Sequence, residues 1–234
     1  MDFVLIRAGS FQMGSERGEP EEKPVRKVLI ATPFYLGKHE VTWRQWEAVR
    51  GKRPSAINGP DYPVDAVNWD DCQSFVRQLK ERFPQKQFRL PTEAEWEYAC
   101  RAGSAGEYCH GNDETGLSDY AWYRGNSGGK VHPVGQKKPN AWGLYDMHGN
   151  VWEWCENPYG EHHSGGPAEA RIADSGKRLL FGPERVLRGG AWYTTAQGLR
   201  SACRNLASPV QNYGSYGFRV ACSLSPMDSK QNTK

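Results

Sequence analysis

The stretch that most constrains this chain runs from Arg185 to Ala221 and alternates two kinds of text. Val186-Leu187-Arg188-Gly189-Gly190, Leu199-Arg200-Ser201-Ala202 and Gly217-Phe218-Arg219-Val220-Ala221 combine strand formers, turn glycines and long cations. That is the make-up of a buried frame. Between these pieces lie Tyr193-Thr194-Thr195, Asn205 to Ser208 and Gln211 to Tyr216. Tyrosine gives large contact area at low entropy cost, and small polar residues adapt around it. The alternation predicts a rigid scaffold that holds these segments out as a binding face.

With 234 residues the chain can bury a substantial core, and we expect one domain over 1–222 followed by a flexible polar tail over 223–234. A hydrophobic share of 38% with 26 Gly, 15 Pro and 9 Trp points to a loop-rich globular fold with aromatic packing, not a helical bundle. The formal charge of +3 is spread among acids, so no nucleic-acid partner is implied. The acidic tract Glu16 to Glu22 reads as a solvated loop. No basic and apolar leader opens the chain and no stretch is long enough to span a bilayer, so the expectation is a cytoplasmic protein without a membrane span. Cys72, Cys100, Cys109, Cys155, Cys203 and Cys222 show no short paired spacing, which predicts packed, reduced thiols.

Phe3 to Ile6 and Phe11 to Gly14 read as two short strands around a turn, continued by Val25 to Ile30 and Pro33 to Leu36. Thr42 caps a helix bearing Trp43, Trp46 and Val49. Asn68 caps a second with Cys72, Phe75, Val76, Leu79 and Phe83 on one face, ended by Pro84. Thr92 and Glu95 form a capping box for a third helix that ends near Ala102-Gly103. Gly103 to Pro139 reads as ordered loop with a few short strands, and Asn157 to Lys177, with His162-His163, as an insertion.

Ala8-Gly9-Ser10-Phe11-Gln12-Met13-Gly14-Ser15, His39-Glu40-Val41-Thr42, Pro63-Val64, Arg89 to Glu97, Asn140 to Trp154, Arg188-Gly189-Gly190 and Gly217-Phe218-Arg219 stand in this order. Together they resemble the formylglycine-generating, sulfatase-modifying enzyme family. The resemblance spans Phe3 to Ala221 and implies an α+β, C-type-lectin-like fold: mixed sheets, flanking helices and much irregular loop. It does not by itself fix function. The oxidases of the family use a cysteine pair to hold copper, a soft metal that thiolates suit. Ungapped matching at Gly189-Gly190-Ala191-Trp192 puts Thr194 and Leu199 where those cysteines would stand. No copper is therefore expected, and the chain reads as a non-enzyme. Iron-binding histidines of the related sulfoxide synthases come from an added helical domain, for which this chain has no room.

The resemblance is closest in character to the variable proteins of diversity-generating retroelements, in which adenine replacement in an asparagine-rich template varies residues between the last motifs. Positions reachable in that way, with the adjoining Trp192, make up the expected ligand-binding set: Trp192, Tyr193, Thr194, Thr195, Gly198, Cys203, Asn205, Ala207, Ser208, Tyr213, Gly214, Ser215 and Tyr216. Tyr193, Tyr213 and Tyr216 are the expected anchors, and their joint replacement by alanine should spare the fold. The expected partner is a protein or other macromolecule, with other domains or subunits of a larger assembly as further partners. The family also implies a structural calcium held by Asp146, the Gly149 and Val151 carbonyls and Glu153, against which stands simple pairing of the two carboxylates with backbone or arginine. Arg200, Arg204 and Arg219 are expected in buried structural pairs. A metal-dependent oxidase using nonstandard residues and a catalytically dead paralogue binding a fixed peptide remain as other readings.

Overall fold

Thr42, Asn68 and Thr92 each turn the chain into a helix, because each side chain accepts from the backbone N–H three residues on and the residue there reaches back. The structure, a computed structural model, describes residues 1–51, 59–159 and 183–224. Its strands and helices are β1 (Phe3–Ile6), β2 (Gly9–Met13), β3 (Arg26–Ile30), β4 (Phe34–Gly37), α1 (Trp43–Arg50), α2 (Trp69–Arg82), β5 (Gln87–Arg89), α3 (Glu93–Arg101), β6 (Ala121–Trp122), β7 (His148–Gly149), β8 (Trp152–Pro158), β9 (Arg185–Arg188), β10 (Arg204–Ala207), β11 (Tyr216–Gly217) and β12 (Ala221–Ser223). The fold is α+β, as expected, with curled mixed sheets and long irregular connections.

The predicted pairing of the opening strands is corrected. β1 pairs antiparallel with β4, and β2 pairs with β3. The last strand, β12, lies between β4 and β5, so the chain's two ends share one sheet in the order β1-β4-β12-β5. Ser223 belongs to β12, which carries the domain past the expected boundary at 222, while 225–234 fall outside the described residues. His162 and His163 also lie outside them.

A second sheet, β10-β9-β8-β11, leads the segments between 193 and 216 back onto the core. Trp46 stacks on Phe75 at 5.5 Å and both meet Phe218 edge-on, so α1 and α2 are pinned to the final glycine-aromatic-arginine motif. Each such buried aromatic removes enough apolar surface to contribute about 2–3 kcal/mol. All six cysteines are free thiols, as expected.

The expected solvated loop at 16–22 is corrected at its end. Pro20–Glu22 forms a 3-10 turn, and Glu22 is buried against the Arg200 guanidinium with two contacts of 2.7 Å. Arg204 pairs with Glu93 and Arg219 with Glu153, both inside the protein, so the three arginines are structural as predicted. Arg188 joins them, holding Glu97 and the carbonyls of Ala202 and Cys203.

Candidate binding site

Gly189 and Gly190 open the site. Both have positive φ, at 94° and 80°, a conformation only glycine takes without strain. A Cβ on Gly190 would lie 2.9 Å from Leu199, and one on Gly189 3.1 Å from Trp96, so the turn is packed from both sides. The chain then bends at Ala191, whose N–H donates to Thr194 Oγ1 at 3.0 Å. A 3-10 turn over Ala196–Leu199 follows.

This geometry sets Tyr193 and Thr195 outward, with Trp192, Thr194 and Gly198 half-buried between them. Trp192 meets Tyr193 edge-on at 5.1 Å. The carbonyl of Trp192 accepts from Ser127 Oγ and that of Thr194 from the Arg124 N–H, so the 123–127 loop forms the rim on one side. On the other side Ser215 Oγ donates to Tyr193 Oη at 3.3 Å. That bond joins two of the three segments expected to form the binding face. Tyr213 meets Tyr216 edge-on at 5.2 Å, and Tyr216 in turn meets Trp154 at 5.4 Å. Burial pushes the Tyr216 phenol up to about 12, with smaller pushes from Tyr193 and Tyr213, so all three tyrosines share one neighbourhood.

They do not share one role. Tyr193 is 46% and Tyr213 57% exposed, whereas Tyr216 is 6% exposed and packs in the core. Tyr216 is therefore corrected from a surface anchor to a support beneath Tyr213. Ala207 and Ser215 are buried as well, and Cys203, Asn205 and Ser208 are half-buried, with Cys203 packed against the same core. Gly214 is exposed. The outward part of the site is Tyr193, Thr195, Tyr213 and Gly214, with Trp192 and Thr194 between.

Asp65 precedes Val67, whose N–H donates to the Tyr216 carbonyl. Its carboxyl is pushed up to about 6 by burial, against a hydrogen bond from Trp43 that favours the charged form. A carboxyl raised in the folded state binds its proton there more tightly than in the unfolded chain, so it takes away stability as pH rises from about 4 through 6. Asp65→Asn is expected to raise the urea midpoint at pH 7 and leave it unchanged near pH 3, measured by tryptophan fluorescence.

Thr194 and Leu199 offer no thiol. Leu199 is fully buried with Tyr108, Leu117 and Ala121, filling the space beside the Gly189-Gly190 turn. His148 is also structural. Its Nδ1 lies 2.7 Å from the Leu199 carbonyl and its Nε2 accepts from the Cys109 N–H at 3.1 Å.

Asp146, Gly149, Val151 and Glu153 lie on the segment entering β8. Asp146 Oδ2 accepts from the Gly135 N–H at 2.7 Å, and Oδ1 is buried with no hydrogen-bond partner among the described residues. Both Glu153 oxygens accept from Arg219 at 2.6 Å, and Oε2 also accepts from Trp96 Nε1 at 2.8 Å. Among the described residues no three His, Cys, Asp or Glu side chains form a ready ligand cluster. A hard cation here would therefore lean on backbone carbonyls. The orphaned Asp146 oxygen is the donor such an ion takes, and Glu153 Oε1 keeps one lone pair, so the set fits calcium chemistry.

Sequence reasoning missed Glu40, which was absorbed into a scaffold motif. It is 1% exposed, with Oε2 accepting from Asn150 Nδ2 at 2.8 Å and Oε1 from the Val151 N–H at 3.1 Å. Burial, then the Asp146 and Glu153 charges, hold its carboxyl well above the usual range. A buried acid two residues before the capping Thr42 was the only signal.

The domain described as "Sulfatase-modifying factor enzyme 1-like domain" matches residues 1–224. The chain is 33% identical to the formylglycine-generating enzyme of Streptomyces coelicolor over 81% of this chain and 60% of that one. It is 30% identical to the serine/threonine-protein kinase pkn1 of Chlamydia pneumoniae over 95% of this chain, but spans only 38% of that protein. Among solved structures, Treponema denticola variable protein 1 superposes with a TM-score of 0.82 at 31% identity, covering 95% of both chains. PvdO from Pseudomonas aeruginosa gives 0.80 at 32%, covering 95% of this chain and 94% of its own. No helix among the described residues is long and apolar enough to cross a membrane. On the matched domain and on the scaffold that carries its motifs, the chain belongs to the sulfatase-modifying factor enzyme 1-like family.

Proposed function

We propose that this domain is a non-catalytic ligand-binding protein whose segments between 192 and 216 form a diversified face, as in a retroelement variable protein. The observation that carries the reading is the Ser215–Tyr193 bond with the adjacent Tyr213. It brings two segments of adenine-reachable residues together, with Tyr193 and Tyr213 exposed beside it. The likeness to a protein named as a variable protein supports it. Exposed Tyr193 and Tyr213 supply rigid contact area, and Thr195, Thr194 and Gly214 shape it toward a macromolecular partner.

The test is the gene's own locus. A near-copy of the stretch coding for Arg185 to Ala221 that differs only at adenines, beside a reverse transcriptase, is the expected result. Absence of both makes the face fixed and moves a fixed-peptide binder ahead.

Identity to formylglycine-generating enzymes keeps an oxidase as the second reading. With Thr194 and Leu199 at the cysteine positions, the protein supplied with copper(I) and a thiol-bearing peptide is expected to consume no oxygen above the blank in an oxygen electrode. Sustained uptake would overturn the non-catalytic assignment. Calcium, where bound, would be held by Asp146, the Gly149 and Val151 carbonyls and Glu153, and would pin the loop that leads into β8.

A further inference from the structure

We propose that the ligand of this face is an acidic peptide segment, held at one edge by Arg124 and Lys130 on the loop beside Tyr193. This rests on the binding face proposed above and adds two residues from outside its expected set. Trp192 to Leu199 and Asn205 to Tyr216 contain no charged residue, so any charge a ligand meets there comes from the surroundings.

The surroundings on the rim side are of one sign. Tyr120 to Asn140 contains Arg124, Lys130, Lys137 and Lys138 and no acid. Lys138 pairs with Asp119 and Lys137 donates to the Ser118 carbonyl, which leaves Arg124 and Lys130. Both are exposed, and neither has an ion pair or a side-chain hydrogen bond among the described residues. Their backbone is nevertheless fixed against the face. The Arg124 N–H donates to the Thr194 carbonyl at 3.0 Å, Ser127 Oγ donates to the Trp192 carbonyl at 2.8 Å, and the Gly129 N–H, next to Lys130, donates to Ser127 Oγ at 3.2 Å. A long cation whose backbone is bonded to Thr194 stands within reach of a segment seated on Tyr193.

Acids come from the other side, where Val67 donates to the Tyr216 carbonyl and Trp69 to the Pro209 carbonyl. Asp61 pairs with Arg44, Asp65 accepts from Trp43, and Asp71 accepts the Asn68 N–H in the capping box of α2. Asp70 stands in the first turn of α2, where the helix N-terminus offsets its charge. The uncompensated charge at the face is therefore positive. A guanidinium matches a carboxylate through two parallel N–H bonds, and complementary charge speeds encounter and excludes wrong partners. Two cations do not make the track of phosphate contacts that a nucleic-acid backbone requires. Arg124 and Lys130 also lie outside the stretch from Arg185 to Ala221, so a constant rim would select acidic segments while the tyrosine-bearing segments choose among them.

The probe is a phage-displayed library of random peptides panned at physiological ionic strength, with the Tyr193→Ala, Tyr213→Ala double variant as counter-target. Peptides that bind the wild type and not the double variant are expected to carry net negative charge and to weaken as sodium chloride is raised. They should bind Arg124→Glu at least about threefold more weakly, with a further loss when Lys130→Glu is added, and stay closer to wild-type affinity on Arg124→Lys, because rim charges act mainly on encounter. All these variants should melt with the wild type, since neither side chain is bonded in the fold. Tyrosine-dependent peptides that are neutral or basic, or acidic ones that bind Arg124→Glu as well as the wild type, would overturn the acidic class and leave the face standing. A single-stranded DNA oligonucleotide that binds through the same two tyrosines, where acidic peptides do not, would replace peptide by nucleic acid. If no peptide or oligonucleotide depends on the two tyrosines, the face itself fails and the acidic class with it.

Discussion

Arg219→Met is expected to lower the melting midpoint by roughly 6–20 °C, the equivalent of about 3–5 kcal/mol for breaking a buried ion pair in a domain of this size. Methionine keeps the unbranched stem and its packing, so the loss isolates the guanidinium. That group holds Glu153 at both oxygens and also donates to the Gly37 and Tyr145 carbonyls. It therefore ties the end of β4, the 145 turn and β8 to one atom cluster. Its removal also leaves Glu40, Asp146 and Glu153 facing one another without a buried cation. Pairing the change with Glu153→Gln should recover part of the loss, since the abandoned carboxylate is much of the cost. Thermal melts of the two variants in EDTA check this, and a single variant that melts within 2 °C of wild type, about the noise-level effect of a surface change, would show that the pair holds nothing together.

The helices of this fold were legible because their signals are local. Thr42, Asn68 and Thr92 each sit one residue before an apolar 3.6-residue pattern, and each forms the reciprocal box the spacing implies. The pairing of the opening strands was not, because β1 and β2 look like neighbours around a turn until β4 and β12 are in place. Nothing within thirty residues of Phe3 announces that the chain's far end completes its sheet. Long-range register is set by which faces bury together, and that information is spread over the whole chain. Glu22 shows the same limit in electrostatic form. An acidic tract reads as solvated until Arg200, far along the sequence, turns out to lie against it.

The candidate site was half legible for the same reason. Residue type marked the candidate segments, since Tyr, Ser, Thr, Gly and Asn cluster between scaffold motifs. Type could not say which tyrosine points inward. Tyr213 and Tyr216 stand three apart in a turn that leads into β11, and the pairing of Tyr216 with Trp152 decides the matter. Glu40 was invisible because its partners, Asn150 and Val151, stand 110 and 111 residues further along the chain.

Tyr216→Ala and Tyr213→Ala are expected to part company, although both residues are tyrosines in the same short segment. Tyr216 rests edge-on against Trp154 in the main core, so truncation leaves a cavity and should cost about 3–5 kcal/mol. Tyr213 is more than half exposed, and its truncation should change stability by no more than about 0.5 kcal/mol. Urea denaturation followed by tryptophan fluorescence separates the two directly. Binding should divide in another way, with a ligand selected from a peptide library serving as the probe. Tyr193→Ala and Tyr213→Ala remove exposed aromatic anchors and should each weaken it by about tenfold or more while the fold stays intact. Tyr216→Ala should weaken it only through the lost support beneath Tyr213 and the lowered stability. The triple alanine variant consequently fails as a test of the binding face, and the Tyr193–Tyr213 double variant replaces it. Full binding by that folded double variant would remove the face from the assignment, because no other exposed aromatic side chain remains between 192 and 216.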